Sequence, residues 1–206
     1  MKNLIFIILS MIFGFGGCFA QTSPTPDQIL NRSIQKIAGS KSAEADFTVT
    51  NSGYTGRGKI LTMGSKFQVI MPDASVWFNG TDLYTYNQNT SETTIVTPTA
   101  DELEESNPLS YVVNAPKNYN VSFSTVKKTG KYVLELLPKK KNGGIKRITL
   151  TLSQKEYYPE KIVVEPSKGN PIVAEIHSFK TGVAAKQSDF EYPKSKYPKA
   201  EIIDLR

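Results

Sequence analysis

Between residues 56 and 86 the chain alternates apolar and polar positions in four short runs, 58–62, 66–72, 75–80 and 82–86, separated by turn residues. In the second run Phe67, Val69 and Met71 fall on one side, with Lys66 and Gln68 on the other. A period of two marks a half-buried strand, and closely spaced runs of this kind predict an antiparallel meander with one apolar face. The pattern recurs at 45–50, 92–97, 119–126, 131–138, 145–152, 160–164, 172–179 and 189–192. Ile148, Leu150 and Leu152 share a side against Arg147, Thr149 and Thr151, and Tyr132, Leu134 and Leu136 oppose Glu135. One face is therefore expected to be dry and the other wet.

Two segments break the alternation. Ile29, Leu30, Ile34 and Ile37 recur at helical spacing between Asp27, placed to cap, and Gly39, placed to stop, so residues 27–38 read as one amphipathic helix. Thr99 and Asp101 open an acidic turn, and Pro108 sits where a helix would begin, predicting one or two short helices over 99–113. The expected fold is mainly β: about eleven strands in a curved, incomplete antiparallel barrel, because so large a sheet cannot stay flat. The few helices would cover its apolar hollow as a lid.

Length and composition fit one domain: 206 residues, a net charge of +6 and a single cysteine. Lys2, the apolar run 4–13 and the small-residue stretch 14–20 have the layout of an export signal, so residues 1–20 are read as a signal peptide and 21–206 as the mature domain. Two processing routes stay open. Cleavage after Ala20 releases a free periplasmic protein without cysteine, whereas lipidation of Cys18, which follows Gly16-Gly17, anchors it to a membrane. Phe15 stands where a lipidation signal usually has Leu. The basic clusters at 127–128, 139–141, 146–147 and 194–199 fall at turns and read as solvated hairpin tips, so nucleic acid is not an expected partner, and a weak attraction to anionic lipid headgroups or to an acidic partner stays open.

Candidate chemistry is sparse. His177, two residues after Glu175, would share its face on a strand, but no serine, cysteine or second histidine stands in a nucleophile context. One His and one Cys cannot build a zinc site, and Asp101, Glu102, Glu104 and Glu105 lack the loop spacing of a calcium hand and read as a charged helix face. Gly56-x-Gly58 has no phosphate-loop context. Neither catalysis, a metal nor a cofactor is expected. The aromatic residues, ten Tyr, ten Phe and Trp77, suit either core packing or an apolar ligand.

The order and spacing of several short motifs carry a resemblance. Phe47-x-Val49, Gly56-x-Gly58, Lys66-Phe67, Met71-Pro72, Trp77-x-Asn79-Gly80-x-x-Leu83-Tyr84-x-Tyr86 and Asn107-Pro108-Leu109 are followed by Tyr132-Val-Leu-Glu-Leu-x-Pro138, the 148–152 strand and Asp189-Phe190-x-Tyr192-Pro193. Over nearly all of the mature chain this sequence resembles the LolA family of periplasmic lipoprotein carriers. The resemblance implies an incomplete barrel with a helical lid, and a cavity that takes acyl chains of lipoproteins, or of other acyl lipids, from inner toward outer membrane. An inner-membrane lipoprotein-releasing transporter and an outer-membrane acceptor would be the partners, and a monomer is expected. Two related roles stay open: a lipid-anchored acceptor of the LolB type, through Cys18, and a lipid-sensing regulatory module.

On this reading the acyl-chain cavity is lined by Phe47, Val49, Ile60, Phe67, Val69, Met71, Leu134, Leu136, Ile148, Leu150 and Leu152, with Ile34 and Leu109 on the lid. The chain departs from the family at Met63-Gly64-Ser65, where better-known members carry a Lys-Arg-Pro element whose arginine latches the lid. Arg57 is the candidate substitute by sequence proximity.

Overall fold

In a computed structural model that describes residues 23–140 and 144–206, twelve strands join in one sheet. They are β1 (Ala43–Asn51), β2 (Tyr54–Met63), β3 (Lys66–Ile70), β4 (Ala74–Phe78), β5 (Leu83–Asn87), β6 (Glu92–Val96), β7 (Tyr119–Phe123), β8 (Lys131–Pro138), β9 (Ile145–Ser153), β10 (Pro159–Pro166), β11 (Ile172–Thr181) and β12 (Glu201–Asp204). Their spatial order is β12-β6-β5-β4-β3-β2-β1-β11-β10-β9-β8-β7, so β1 and β11, distant in sequence, join the two halves. β12 and β7 remain as free edges of an open, curled sheet, which confirms the expected incomplete barrel. The expected export signal, Cys18 and part of the turn before Ile145 lie outside the described residues.

Helix α1 (Pro26–Ala38) packs across the concave face, joined by α2 (Ala100–Ser106), α3 (Ser110–Val113) and α4 (Ala115–Asn118). The cap of α1 is Thr25 rather than Asp27: its side chain accepts from the Gln28 backbone N–H, and the Gln28 side chain accepts from the Thr25 N–H. This reciprocal box satisfies two orphan donors and leaves Asp27 in the first turn, where its charge suits the positive helix end. Thr99 caps α2 through the same box with Glu102, as its spacing predicts. Residues 107–109 form a turn fixed by the Asn107 side chain, which accepts from the Leu109 N–H, so α3 starts later than the proline suggested.

Two expectations are corrected at the C-terminus. Residues 189–192 are not a strand: Asp189 binds back to the Lys186 N–H and a 3₁₀ turn runs over Gln187–Phe190, with Pro193 just beyond. The unforeseen β12 lies parallel to β6, so the barrel is not wholly antiparallel. The segment between covers the outer face of β4 and β5, where a wet surface was expected. Trp77, opposite Tyr84 on that face, is 1% exposed. Its ring meets Tyr192 and Tyr197 edge-on at 5.6 and 6.0 Å, and Tyr84 stacks on Tyr192 at 5.8 Å. β4 and β5 are thus dry on both faces, which accounts for part of the aromatic excess.

A roofed apolar trough

The wall of the trough follows from register. On β2, β3 and β4 the pairs Ile60–Val69, Val69–Val76 and Phe67–Phe78 stand opposite one another on the concave face. On β8, β9 and β10 the rows Leu134–Leu150–Ile162 and Leu136–Ile148–Val164 continue it. The β1–β11 seam closes the surface with Val49 opposite Ala174 and Phe47 opposite Ile176.

The roof is laid on this wall. α1 turns Ile29, Leu30, Ser33 and Ile37 inward, all buried, while Ile34 packs half-buried against the same core. Leu109, just before α3, is buried together with Tyr111 and Val112. Of the expected acyl-contacting residues, Ile60, Phe67, Leu134, Leu136, Ile148, Leu150 and Leu152 are sealed beneath the roof as closed core. Phe47, Val49, Val69 and Met71 line what stays open: a cavity of about 150 Å³ where wall meets roof.

That cavity is completed by Ile162, Val164, Ile172 and Ala174 from the wall and by Glu105, Ser106, Pro108 and Tyr111 from the roof. Sequence reading missed these eight. The alternation in β10 and β11 marked the wall four as strand residues, but which of them face Phe47 and Val49 depends on the β1–β11 pairing.

Gly56-x-Gly58 acquires a role here. A Cβ on Gly58 would lie 2.7 Å from the Phe47 ring and 2.8 Å from Met71, and one on Gly56 would lie 2.7 Å from the Met71 methyl. Bare backbone on β2 is therefore the floor on which two cavity-lining side chains rest.

The roof carries one charge inward. Glu104 is buried in α2, not displayed on a charged helix face, and accepts weakly from the Asn118 amide at 3.4 Å and the Tyr119 hydroxyl at 3.5 Å. Burial pushes its carboxyl above the ordinary 4.5, an effect that these two hydrogen bonds only partly oppose. Burial pushes the Tyr111 hydroxyl up to about 12, with the carboxylates of Glu104 and Glu105 adding to it, and raises Tyr119 in the same way.

Where the family's latch element would fall, the chain makes a two-residue hairpin. Met63 pairs with Lys66, and Gly64 adopts a φ of +60° that favours glycine. Arg57 does not substitute: it is exposed and stands opposite Thr48, on the outer face away from the roof. A different arginine bridges roof and wall. Arg32 of α1 donates to the Tyr157 hydroxyl and places its guanidinium 5.1 Å from the Tyr157 ring centroid. Tyr157, in the β9–β10 turn, stacks on Tyr132 at 5.8 Å. One turn further along α1, Lys36 lies 5.7 Å over the ring of Tyr158.

His177 lies on the outer face, 2.7 Å from the Thr48 hydroxyl, and Glu175 is held by Lys161 at 2.7 Å, a hydrogen bond that lowers its carboxyl pKa. Each has its own partner, which is an arrangement of surface pairing. Among the described residues no cluster of His, Cys, Asp and Glu has metal-binding geometry, and no helix is long and apolar enough to cross a membrane.

Comparison with known proteins gives a family match and a fold. The family described as outer membrane lipoprotein carrier protein LolA matches residues 17–168. Among curated proteins no sequence match is found. An uncharacterized conserved protein from Thermus thermophilus is similar in structure, with a TM-score of 0.59 at 12% identity over 86% of this chain and 98% of that one. A LolA superfamily protein from Nitrosomonas europaea gives 0.44 at 13% identity, over 82% of this chain and 99% of that one. A chain of the Pseudomonas aeruginosa MucA/MucB complex gives 0.42 at 14% identity, over 80% of this chain and 59% of that one.

Proposed function

The chain belongs to the family of the outer membrane lipoprotein carrier protein LolA, and from that premise we propose that it carries acyl chains of lipoproteins, or of a similar acyl lipid, across the periplasm without catalysing a reaction. The observation that carries this reading is the continuous apolar wall with an unfilled stretch where the roof meets it, at Phe47, Val49, Val69, Met71 and Ala174.

Size decides how the trough would work. At about 30 Å³ per methylene-sized unit, the cavity of about 150 Å³ accepts about five such units. At about 0.8 kcal/mol each they contribute about 4 kcal/mol. A chain of about sixteen carbons gains about three times as much in a membrane, so the closed form cannot hold an anchor against the bilayer. Loading therefore requires the roof to lift and expose the sealed pairs Leu134–Leu150 and Leu136–Ile148. Met71, half-buried and unbranched, is suited to repacking against whichever chain arrives. Arg32 and Tyr157 take the part of the latch in this scheme, and an inner-membrane transporter and an outer-membrane acceptor are the partners it calls for.

Purified mature protein should arrive with acyl lipid or lipoprotein bound, detected by mass spectrometry of an organic extract, and should release lipoprotein from inner-membrane vesicles. Lipid-free protein that releases none overturns the carrier reading. Diacylglycerol on Cys18 in the same spectra would reassign the chain to the anchored acceptor.

A further inference from the structure

We propose that the end of the barrel formed by the β7–β8 loop and the β9–β10 turn is a docking surface for anionic phospholipid bilayers. The inference goes beyond cargo transport and does not depend on it.

Its apolar component is Phe123 and Val126, 51% and 55% exposed, among the most exposed large apolar side chains of the described residues. They flank a shallow cleft of about 420 Å³ whose rim carries Lys127, Lys128 and Lys131. The loop holding them is tied down. Ser124 N–H donates to the Val133 carbonyl at 2.9 Å, the Ser124 hydroxyl accepts from the Val126 N–H, and Gln154 N–H donates to the Gly130 carbonyl at 3.1 Å. That last bond brings the β9–β10 turn, with Lys155, to the same end of the barrel.

Charge sets the partner. Lys131 is engaged by Glu160, but Lys127, Lys128 and Lys155 make no ion pair among the described residues, and all three are exposed. The roof adds Arg32 and Lys36, whose contacts with Tyr157 and Tyr158 place them on this end. The opposing carboxylates are Glu156 and Glu175; Glu175 is already paired with Lys161, and Lys128 contributes to its local positive field. Exposed Phe and Val side chains ringed by unpaired lysines match the layered chemistry of a bilayer surface, with phosphates outside and acyl chains beneath. An acidic protein would supply the charge but has no equal use for the apolar pair. None of the cavity-lining residues belongs to this cleft, so docking and cargo binding can be lost independently.

The test is co-sedimentation of the mature protein with vesicles of phosphatidylcholine, with and without about one quarter phosphatidylglycerol. Binding is expected only with the anionic lipid, falling as salt shortens the range of attraction. A Lys127→Gln/Lys128→Gln/Lys155→Gln variant should bind roughly 100-fold more weakly, about fivefold per lysine. Phe123→Ser/Val126→Ser should bind more weakly at unchanged charge. A Lys194→Gln/Lys196→Gln/Lys199→Gln variant, which removes equal charge elsewhere, should bind like the native protein. Equal binding to neutral vesicles, no binding to either, or equal loss in the two lysine variants overturns the proposal. Bound lipid recovered from the same variants reports on the carrier reading separately.

Discussion

Replacing Arg32 with Gln should make the roof lift more often without unfolding the barrel. The side chain makes two contacts with Tyr157, a hydrogen bond to its hydroxyl and a cation–π contact at 5.1 Å. At an exposed site the second is worth about 0.5–1 kcal/mol, and the first about the same once solvent screening is allowed for. Together they give about 1–2 kcal/mol. Against this, Ile29, Leu30 and Ile37 are at most 5% exposed, and at about 1.5–3 kcal/mol each the apolar stripe contributes several-fold more. The stripe therefore holds α1 down and the arginine biases the equilibrium, so its loss should raise the open population roughly 5- to 30-fold. Native-state hydrogen exchange reads this directly. Amides of α1 should exchange faster by that factor while those of β8 and β9 keep their protection. Tyr157→Phe removes the hydrogen bond and keeps the ring, so it should give about half the effect, and Arg32→Gln should act less strongly in its background. If α1 exchange stays within about twofold of native, or if β8 and β9 accelerate equally, the contact is not a latch.

Substitutions at three further positions test other parts of the structure. Gly58→Val should push Phe47 and Met71 off the β2 backbone into the cavity, lowering lipid uptake while costing roughly 1–3 kcal/mol of stability, read by lipid titration and urea melts. Glu104 has a folded pKa raised above its unfolded value, so its ionisation opposes folding. Stability should be lost as pH rises from about 4.5 into the raised range and stay lost at higher pH, and Glu104→Gln should flatten that fall in a series of urea midpoints. The indole N–H of Trp77 is buried and has no hydrogen-bond partner, so Trp77→Phe should cost far less than the roughly 3–5 kcal/mol expected of Trp77→Ala, a contrast that thermal melts resolve.

The strands were legible because period-two alternation reports that a face is dry. What it does not report is what makes it dry. Residues 66–71 and 148–152 gave the right concave face, yet Leu150 and Val69 look alike in sequence, and only the placement of the roof decides that one is sealed and the other lines a cavity. Trp77 and Tyr84 alternate as cleanly as any inward pair, and point outward under a tail more than a hundred residues away. Phe190 and Tyr192 read as one more strand because residues that cover a sheet share the spacing of residues within it. The seam pairing of Val49 with Ala174 leaves no local trace at all.

The latch shows the same limit from the side of chemistry. A guanidinium between roof and wall can be supplied by either, and a search confined to the wall finds Arg57 and, paired with Glu135 and Glu165, Arg147, both of which face outward. Supplied from the roof, it needs an acceptor with an electron-rich face, and Tyr157 meets that need at a backbone φ of 61°, a left-handed conformation that costs a bulky residue on the order of 1–3 kcal/mol. Such strain persists where the surroundings fix the side chain, and here Tyr132 stacks on one partner of a contact whose other side is Arg32. Tyr157→Gly would relieve the strain and remove the ring together. If the tyrosine is kept for the latch, that variant should hold its melting temperature while α1 exchanges as fast as in Arg32→Gln; if the ring serves only packing, its melting temperature should fall and α1 should exchange no faster than the rest of the barrel.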